Sequence, residues 1–274
     1  MTLASTLQPP PVRARSADRV SLLGMSIDRL DREGVAVAID GFVRGGGHHQ
    51  IVTVNLDFLS IGSRNEEFRA LVNDAALVVP DGMPVLWAAR YLGGSLPQRI
   101  TGPDLIHLAV EHSVRHGSSL FFLGAPAGVA AEAAHQLRAE YGDFNIAGIY
   151  SPPFGSLDGA EDKKIRRMIA DARPDFLFVA FGCPKQDFWI RDHADLGVPV
   201  CAGIGGSFEF LSGAIPRAPE WAQKRGLEWT FRLYRQPRRL AKRYLVDDVQ
   251  VVGKLLASRF TGGNVPIGRD GGPA

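Results

Sequence analysis

The chain has 274 residues, of which 45% are hydrophobic and 22% are charged, and its formal net charge is +2. These values suit a globular protein built as one large α/β domain or as two small ones. Because no run approaches ~18 apolar residues, we expect no transmembrane helix.

The two ends of the chain differ from the rest in composition. Residues 1–18 contain a Pro-Pro-Pro run and scattered arginines but no apolar core, so we expect no secretory signal and interpret residues 1–19 as a disordered leader. Residues 261–274 are rich in glycine and proline, and we expect them to be disordered too. The only cysteines, Cys183 and Cys201, form no CxxC pattern, which predicts buried, reduced thiols and a cytoplasmic location.

The first half of the chain contains several short apolar segments. Strand-like runs occur at residues 35–39, 50–54 and 76–79, and a turn rich in glycine and histidine separates the first two. Residues 58–73 have helical spacing. Residues 84–92 form a predicted helix that opens with a proline, a favoured residue in a first turn.

From residue 118 onward, predicted strands and helices alternate. The strands are 120–123, 145–150, 175–181 and 198–204, and the helices are 128–140, 160–172 and 185–195. This alternation predicts a doubly wound, mostly parallel, Rossmann-like α/β sheet in a domain spanning residues 20–215. Because ligands of such sheets bind beyond the carboxyl ends of the strands, we expect a pocket lined by Gly124, Gly148 and the segments 182–186 and 203–208.

The segment 217–259 is the most unusual part of the chain in charge. It carries 11 Lys/Arg against 4 Asp/Glu, so the remainder of the chain sums to about −5. Its cations are interleaved with Trp, Phe, Leu and Tyr, which suits a surface that meets phosphates at a membrane, although a solvated helix face has the same charge pattern. We predict one or two helices over residues 227–257, interrupted at Pro237, in a basic appendage spanning 216–260.

Two glycine-containing strand ends are candidates for phosphate binding. At 203–207, the backbone N–H groups of Gly205 and Gly206 would approach a diphosphate closely, although the same residues also suit a tight turn. At 182–186, Lys185 would offer a charge to phosphate and Gln186 a hydrogen bond to a sugar or a uracil. The alternative there is a capped loop with an exposed lysine.

Polar candidates also occur in the first half. Asp81 follows a short apolar run and is a candidate general base, although Asp-Gly is also a common turn. Arg99, with Thr101 nearby, suits either bidentate phosphate binding or a structural salt bridge. Thr53 and Asn55 point the same way at a strand end, and they either address a ligand together or leave Asn55 to cap the next helix.

Sequence patterns typical of metal sites are missing. No HExxH, H-x-E or Cys/His cluster occurs, and there is no Asp-x-Asp pair, so we expect neither a metal nor another cofactor. A departing nucleotide diphosphate would then be neutralised by arginines and backbone amides. Two other functions are compatible with parts of the sequence. One is a Rossmann-like oxidoreductase, which the absence of GxGxxG disfavours. The other is a non-enzymatic basic nucleic-acid binder, which the net negative charge of the rest of the chain disfavours.

A series of motifs then occurs in a recognisable order. They are Thr-x-Asn, Asp-Gly, Arg-x-x-Gly, Gly-x-Pro-Lys-Gln, Gly-Gly-x-Phe, Arg-Ala-Pro-x-Trp and Gly-Leu-Glu-Trp-x-x-Arg-Leu. Over roughly residues 20–260 the chain resembles the WecG/TagA/CpsF glycosyltransferases, also called glycosyltransferase family 26. The resemblance implies an inverting enzyme that moves a hexose of N-acetylmannosamine, glucose or glucuronic acid type from a UDP-sugar to a saccharide on a polyprenyl diphosphate. It also implies a peripheral position on the inner face of the cytoplasmic membrane, a role in cell-surface or exopolysaccharide synthesis, and association into homo-oligomers.

The resemblance and the strand-end motifs together assign residue roles. Asp81 is the expected base, and Thr53 and Asn55 line the same site. The residues expected to bind the donor substrate are Arg99, Thr101, Gly124, Lys185, Gln186, Gly205, Gly206, Phe208 and Glu209. The arginines expected to engage the acceptor diphosphate or the membrane are Arg217, Arg232, Arg235, Arg238, Arg239 and Arg243. Asp187 and Glu209 stand where the family usually has Glu and Asp, respectively, so the identity of the sugar stays open.

Overall fold

A computed structural model describes residues 18–153, 159–215, 228–235 and 248–258. A short antiparallel hairpin, β1 (Arg19–Leu22) and β2 (Met25–Asp28), comes first. The main sheet then contains the strands β3 (His49–Val54), β4 (Leu77–Pro80), β5 (Leu120–Gly124), β6 (Ile146–Tyr150), β7 (Phe176–Ala180) and β8 (Val200–Gly203). All neighbouring strands in it are parallel, in the order β4-β3-β8-β7-β5-β6, so the predicted α/β sheet is confirmed.

Helices cover both faces of this sheet. They are α1 (Arg32–Gly45), α2 (Leu56–Gly62), α3 (Glu66–Asp74), α4 (Met83–Tyr91), α5 (Gly102–His116), α6 (Val129–Tyr141), α7 (Gly159–Ala172), α8 (Lys185–Asp192) and α9 (Ser207–Leu211). A 3-10 helix follows α8 at Ala194–Leu196, and two further helices lie at Glu228–Arg235 and Asp248–Ser258. None of the helices within the described residues has the length and apolar content of a bilayer-spanning segment.

Alternation along the strands divides the core into layers. Phe122 and Phe178 pack on one face with α1, α5, α6 and α9, while Leu123 and Val179 pack on the other with α7 and α8. The hairpin, α2, α3 and α4 cover the rest of that second face over Val52 of β3. Because both faces are buried, the strands read as continuous apolar runs, which is why their positions were predictable.

The hairpin is tied to the sheet through one buried carboxylate. Asp28 is fully buried, and it accepts hydrogen bonds from Arg19 Nε at 2.6 Å and from Arg19 Nη2 at 2.9 Å. The same carboxylate accepts a bond from the backbone N–H of Val78 in β4 at 2.8 Å. A buried charge needs such partners, so this pair holds the hairpin against the end strand of the sheet. The apolar runs of the sequence did not predict this hairpin.

The predicted strand at 35–39 is wrong, because these residues lie inside α1. Asp31 caps that helix by accepting a hydrogen bond from the Gly34 N–H at 2.9 Å. Val35 and Ile39 are buried at helical spacing, whereas Val37 is 68% exposed. The five apolar residues fit the periodicity of a helix and that of a strand. Only Asp31, which caps the helix, and Phe42 after the run distinguish the two.

The single helix predicted for 58–73 is divided, and α5 was not predicted. Asn65 stops the continuous helix by capping α3, accepting from the Phe68 N–H at 3.0 Å. In α5, a capping box starts the helix, as described below for Thr101. The other predicted helices and strands of residues 76–204 are present, with bounds shifted by a few residues.

Only part of the predicted appendage is described. In the helix Asp248–Ser258, Val251 and Leu255 are buried against the layer that contains α2, and Lys254 Nζ donates to Ser63 Oγ at 2.9 Å. The predicted break at Pro237 lies outside the described residues, as do most of the predicted leader and all of the predicted tail. The domain boundaries, including the one at residue 215, stay predictions.

Candidate active site

The carboxyl ends of the six parallel strands meet at one edge of the sheet, called here the carboxyl edge. The segments that follow five of these strands contact one another there in a continuous row. This row contains most of the sequence-predicted residues that the structure describes. Its arrangement follows from the parallel topology, since sequence-distant strand ends must converge at the same edge.

The row begins with the ends of β3 and β4. Val54 pairs with Pro80, and the backbone N–H of Asp81 donates to the Val54 carbonyl at 2.7 Å. Asp81 and Asn55 therefore stand at equivalent positions, each one residue past its strand. Neighbouring strands lie about 4.8 Å apart, so the two side chains arise close together. Asp81 is half-buried.

Asn55 also has a structural role. Its Oδ1 accepts hydrogen bonds from the backbone N–H groups of Asp57 at 3.0 Å and Phe58 at 3.2 Å, so it caps α2. The capping alternative is therefore present, and it orients the amide of Asn55 beside Asp81. Thr53 is 5% exposed and lies two residues earlier on the same side of β3.

Arg99 reaches this edge through the chain that precedes α5. The N–H of Ile100 donates to the Pro80 carbonyl at 2.8 Å, which places residues 99–101 alongside the end of β4. Arg99 is half-buried there. Because Ile100 is fully buried, it anchors this segment beside the end of β4.

Thr101 was predicted to bind substrate, but its hydroxyl is used to start α5. Thr101 Oγ1 donates to Asp104 Oδ2 at 2.7 Å, and the Thr101 N–H donates to the same oxygen at 2.8 Å. The Asp104 N–H in turn points to Thr101 Oγ1 at 3.4 Å. This reciprocal capping box accounts for a buried threonine here without a ligand.

The next contact joins the start of α5 to the loop after β8. A Cβ on Gly102 would lie 2.3 Å from Ser207 Oγ and 3.2 Å from the Ile204 carbonyl oxygen. Only glycine permits this approach. The Gly205-Gly206 turn is therefore held directly beside residues 99–102, and Gly205 itself has a φ of +51°.

Gln186 connects this turn to the loop after β7. Its side chain is 2% exposed, and its Oε1 accepts hydrogen bonds from the N–H groups of Gly182 and Gly205, both at 3.1 Å. The oxygen of Gln186 thus forms an internal bridge between two glycine loops, and the predicted hydrogen bond of Gln186 to a sugar or a uracil stays a prediction. Lys185, the residue before it, is exposed at the start of α8 and stays a candidate for phosphate binding.

Gly124 extends the row to β5. It has a φ of +97°, and a Cβ there would lie 2.7 Å from the carbonyl oxygen of Ala180 in β7. Glycine at this position lets the backbones after β5 and β7 approach closely. Gly148, in contrast, lies inside β6, where a Cβ would lie 2.4 Å from the ring of Phe121. The expectation that Gly148 lines the pocket is therefore wrong, because this glycine makes room for packing.

Phe208 is also a packing residue. It is fully buried, and its ring centroid lies 4.7 Å from that of Phe122 in the core layer below α9. A side chain with no exposed surface offers no face to a donor substrate. The Gly-Gly-x-Phe motif thus combines two functions, since its glycines form the turn and its phenylalanine anchors that turn to the core.

Two acidic side chains beside the glycine loops are buried without full hydrogen bonding. Asp187 is 1% exposed, and within the described residues its Oδ2 has no hydrogen-bond partner. Burial raises the pKa of Asp187 to about 7, although Cys183 and Gln186 favour its ionised form. The Oε2 of Glu209 is likewise buried without a partner among the described residues, and it would lie 3.4 Å from a Cβ on Gly206.

Asp187 was noted in the sequence only as a departure from the family pattern, whereas Glu209 was also predicted to bind the donor substrate, and that role stays a prediction. Their burial could not be read from the motifs, because it depends on how α8 and α9 pack against β8. Of the two cysteines, Cys201 is buried as expected and Cys183 is half-exposed.

The predicted acceptor-binding arginines are not placed by the structure. Arg217, Arg238, Arg239 and Arg243 lie outside the described residues. Arg232 and Arg235 belong to the helix Glu228–Arg235, but their side chains are not among those described. Their roles stay predictions.

A cavity of about 290 Å³ lies away from this row, at the opposite edge of the sheet. It is lined by residues at the starts of β3 and β4 and along α3, among them Gln50, Asp74 and Ala76. Its volume is large enough for a small ligand. However, the amino ends of parallel strands lack the converging loops that form ligand sites in open α/β sheets, so we place the functional site at the carboxyl edge.

The fold defines the class of the protein, an open α/β protein, and the row gives it a candidate ligand site of glycine turns, a half-buried aspartate and an arginine at the carboxyl edge of a parallel sheet. The model of the glycosyl transferase WecG/TagA/CpsF family matches residues 20–264, and the chain belongs to that family. It is therefore a glycosyltransferase, which confirms the class of activity expected from the motifs.

Curated relatives agree with this assignment. An N-acetylglucosaminyldiphosphoundecaprenol N-acetyl-beta-D-mannosaminyltransferase of Bacillus spizizenii is 32% identical over 190 residues, covering 69% of this chain and 72% of the relative. Proteins of the same name from Staphylococcus aureus strains MW2 and NCTC 8325 are 29% identical over 227 residues and 30% identical over 217 residues, respectively. These matches cover 82% and 78% of this chain, and 87% and 84% of the relatives.

Replacing Gln186 with alanine tests the bridge between the two glycine loops. The substitution removes the acceptor for two N–H groups, so we expect the free energy of unfolding to fall by about 2 kcal/mol. Urea denaturation measures it. The matched control is Lys185→Ala, which should change stability by no more than about 0.5 kcal/mol because that neighbour is exposed. Equal losses in both variants would show that the bridge does not stabilise the fold.

Asp187 should make stability depend on pH in an unusual direction. Its pKa is about 7 in the folded protein against 3.8 for an ordinary aspartate, so the folded state keeps the proton after the unfolded chain has lost it. The stabilisation linked to this proton is complete below about pH 4, and it is lost as the pH rises through about 7.

We therefore expect Asp187→Asn to become more stable relative to wild type as the pH is raised from about 4 to about 8, by a few kcal/mol in total. Denaturant titrations at several pH values measure this difference. Asp171→Asn, at an exposed position late in α7, is the control and should show a flat difference. A flat difference for Asp187→Asn as well would contradict the buried, protonated carboxyl.

Proposed function

We propose that this protein transfers an N-acetylmannosaminyl residue from a UDP-sugar to a saccharide carried on a polyprenyl diphosphate. The observation that carries the proposal is the position of Asp81, which is bonded to the end of β3 beside Asn55, in the row that includes the glycine turns. The sugar and the acceptor are taken from the printed names of relatives that are about 30% identical. Family membership leaves the oxidoreductase and nucleic-acid-binding alternatives without support.

In the proposed mechanism, Asp81 accepts the proton of the acceptor hydroxyl as that oxygen attacks the anomeric carbon from the face opposite UDP. One bond forms to carbon as the bond to the diphosphate oxygen breaks, which inverts the configuration. Asn55 and Thr53 hold the reacting groups in position beside the carboxylate. Positioned general-base catalysis typically contributes about 10²–10⁴-fold in rate.

The leaving UDP takes up the negative charge that develops as its bond to the sugar breaks. We assign its neutralisation to Arg99, to Lys185 and to backbone N–H groups of the glycine turns after β5, β7 and β8, other than those of Gly182 and Gly205, which donate to Gln186. These groups belong to one row along the carboxyl edge, and the turns are kept in place by Gln186 and Gly102. Donors fixed in this way stabilise charge without reorganising, and the loss of one commonly costs about 10²–10³-fold in rate. The proposal therefore needs no divalent ion at the leaving group.

The acceptor is a lipid, so the enzyme must work at a membrane surface. We propose that the basic residues of 216–260 bind anionic lipid and the acceptor diphosphate, at the inner face of the cytoplasmic membrane. The charge surplus of this segment supports the assignment, since each cation near an anionic surface contributes about 1 kcal/mol. In the described part, the helix Asp248–Ser258 packs beside α2, which itself begins at Asn55. The described part of the segment is thus attached to a helix that starts at the carboxyl edge, with Lys254 bound to Ser63 at the other end of that helix.

Asp81→Asn is the direct test of the mechanism. The substitution keeps the size of the side chain but removes its basicity, so we expect transfer from UDP-N-acetylmannosamine to a short-chain prenyl-diphosphate acceptor to fall by about 10²–10⁴-fold. UDP binding, measured by calorimetry, should stay within a few fold of wild type. The transfer assay is run with and without EDTA, and the proposal expects wild-type transfer to persist in EDTA.

The matched control is Asp143→Asn, the same chemical change at an exposed residue between α6 and β6, at the other edge of the sheet. It should transfer at the wild-type rate. Wild-type transfer by Asp81→Asn would remove this residue from the role of base. Transfer from UDP-glucose or UDP-glucuronic acid in preference to UDP-N-acetylmannosamine would overturn the assignment of the sugar alone.

A further inference from the structure

A cluster of three metal-ligating side chains lies between α1 and α5, at the end of α5 away from the carboxyl edge. It consists of Asp40, His112 and His116, whose ligand atoms all lie within 4.8 Å of one another. His112 and His116 are four residues apart on α5, so they share one face of that helix. Asp40 comes from α1, which packs on the same face of the sheet.

The central residue of the cluster, His112, is buried and only partly satisfied. It is 8% exposed, and its Nδ1 lies 2.9 Å from the Ser118 hydroxyl oxygen. Its Nε2 is buried and has no hydrogen-bond partner within the described residues. That nitrogen faces Asp40 Oδ1 at 3.4 Å, a separation too long for a good hydrogen bond. A buried ring nitrogen whose contact with a carboxylate is this long needs an explanation, and a ligand held by both groups supplies one.

Asp40 and His116 are placed so that each can offer a ligand atom beside His112. Asp40 uses Oδ2 for Arg44 Nη2 at 3.0 Å, which leaves Oδ1 directed at the histidine. The rings of His112 and His116 have centroids 4.6 Å apart. His116 is exposed, so a rotation of its side chain can bring a nitrogen to the spacing of about 3.3 Å that ligands adopt around a tetrahedral Zn²⁺.

We propose that Asp40, His112 and His116 form a binding site for a divalent ion of the zinc class. Two imidazoles and one carboxylate are the ligand types that Zn²⁺ prefers, and three protein ligands leave a fourth position for water. The Ser118 hydroxyl is the outer partner that holds the central imidazole, as hydrogen-bonded neighbours do for most metal-ligating histidines.

The position of the site indicates a structural role. Ser118 lies just before β5, so the cluster sits at the amino edge of the sheet, opposite Asp81. An ion there would join α1 to α5, which are already connected by the ion pair of Arg32 Nη2 and Glu111 Oε1 at 2.6 Å. The other end of α5 begins at Gly102, against the turn of the carboxyl edge. The ion would therefore stabilise the helix that supports the active site without taking part in sugar transfer.

The sequence patterns predict no metal site because His112 and His116 form no recognised motif. Their partner is 72 positions away from the first histidine in the chain, and only the packing of α1 near α5 brings it close.

The test is Zn²⁺ binding by the full chain, freed of metal by a chelator and titrated in competition with a chromophoric zinc indicator. We expect one ion per chain and a rise in the melting temperature when zinc is added. His116→Ala should weaken binding by about 100-fold or more, and Ser118→Ala by about 10-fold, since outer partners contribute less than ligands. Asp40→Asn provides a second ligand variant at a half-exposed position that leaves the core intact.

The matched control is His135→Ala on α6, where another helical histidine lies near a carboxylate, Glu132, but is 76% exposed. It should bind zinc like wild type. Circular dichroism confirms that each variant is folded. The proposal is overturned if wild type binds no zinc at micromolar concentration, if His116→Ala and Asp40→Asn bind as wild type does, or if His135→Ala loses as much affinity as they do.

Discussion

The rest of the site depends on the two hydrogen bonds that the side-chain oxygen of Gln186 accepts. This oxygen accepts them from Gly182 and Gly205, and so it joins the loops that follow two adjacent strands of the sheet. Parallel strands deliver their ends to one edge, but they do not fix the loops beyond it. A buried side chain that satisfies both loops at once keeps their remaining N–H groups pointed in constant directions, which is the condition for stabilising a leaving diphosphate.

The same edge shows how packing constraints and chemistry share residues. Gly102 allows the start of α5 to touch the turn at Ser207, and Asn55 caps α2 while standing beside Asp81. Several motif residues of this family are therefore explained by structure alone. Phe208 and Thr101 belong to this group, because one fills the core and the other starts a helix. The residues left for direct contact with substrates are fewer, and we propose Asp81, Arg99 and Lys185 as the principal ones.

The alternating second half of the chain was predictable because each strand is buried on both faces and reads as an unbroken apolar run. The strand predicted at 35–39 failed because five apolar residues cannot distinguish a helix that buries Val35 and Ile39 from a strand. The convergence of Asp81, Asn55 and the glycine turns followed from topology. The partners of Gln186, the burial of Asp187 and the approach of Asp40 to His112 did not, because each depends on helices packing across large separations in sequence.

We propose that the carboxyl edge, and not the cavity at the amino edge, binds the nucleotide. Hydrogen–deuterium exchange with and without UDP separates the two directly, because the N–H groups of each edge lie in different peptides. We expect UDP to slow the exchange of backbone N–H groups in residues 182–186 and 203–207, where the glycine turns would donate to phosphate. Slower exchange around Gln50 and Ala76, with no change in the turns, would contradict it.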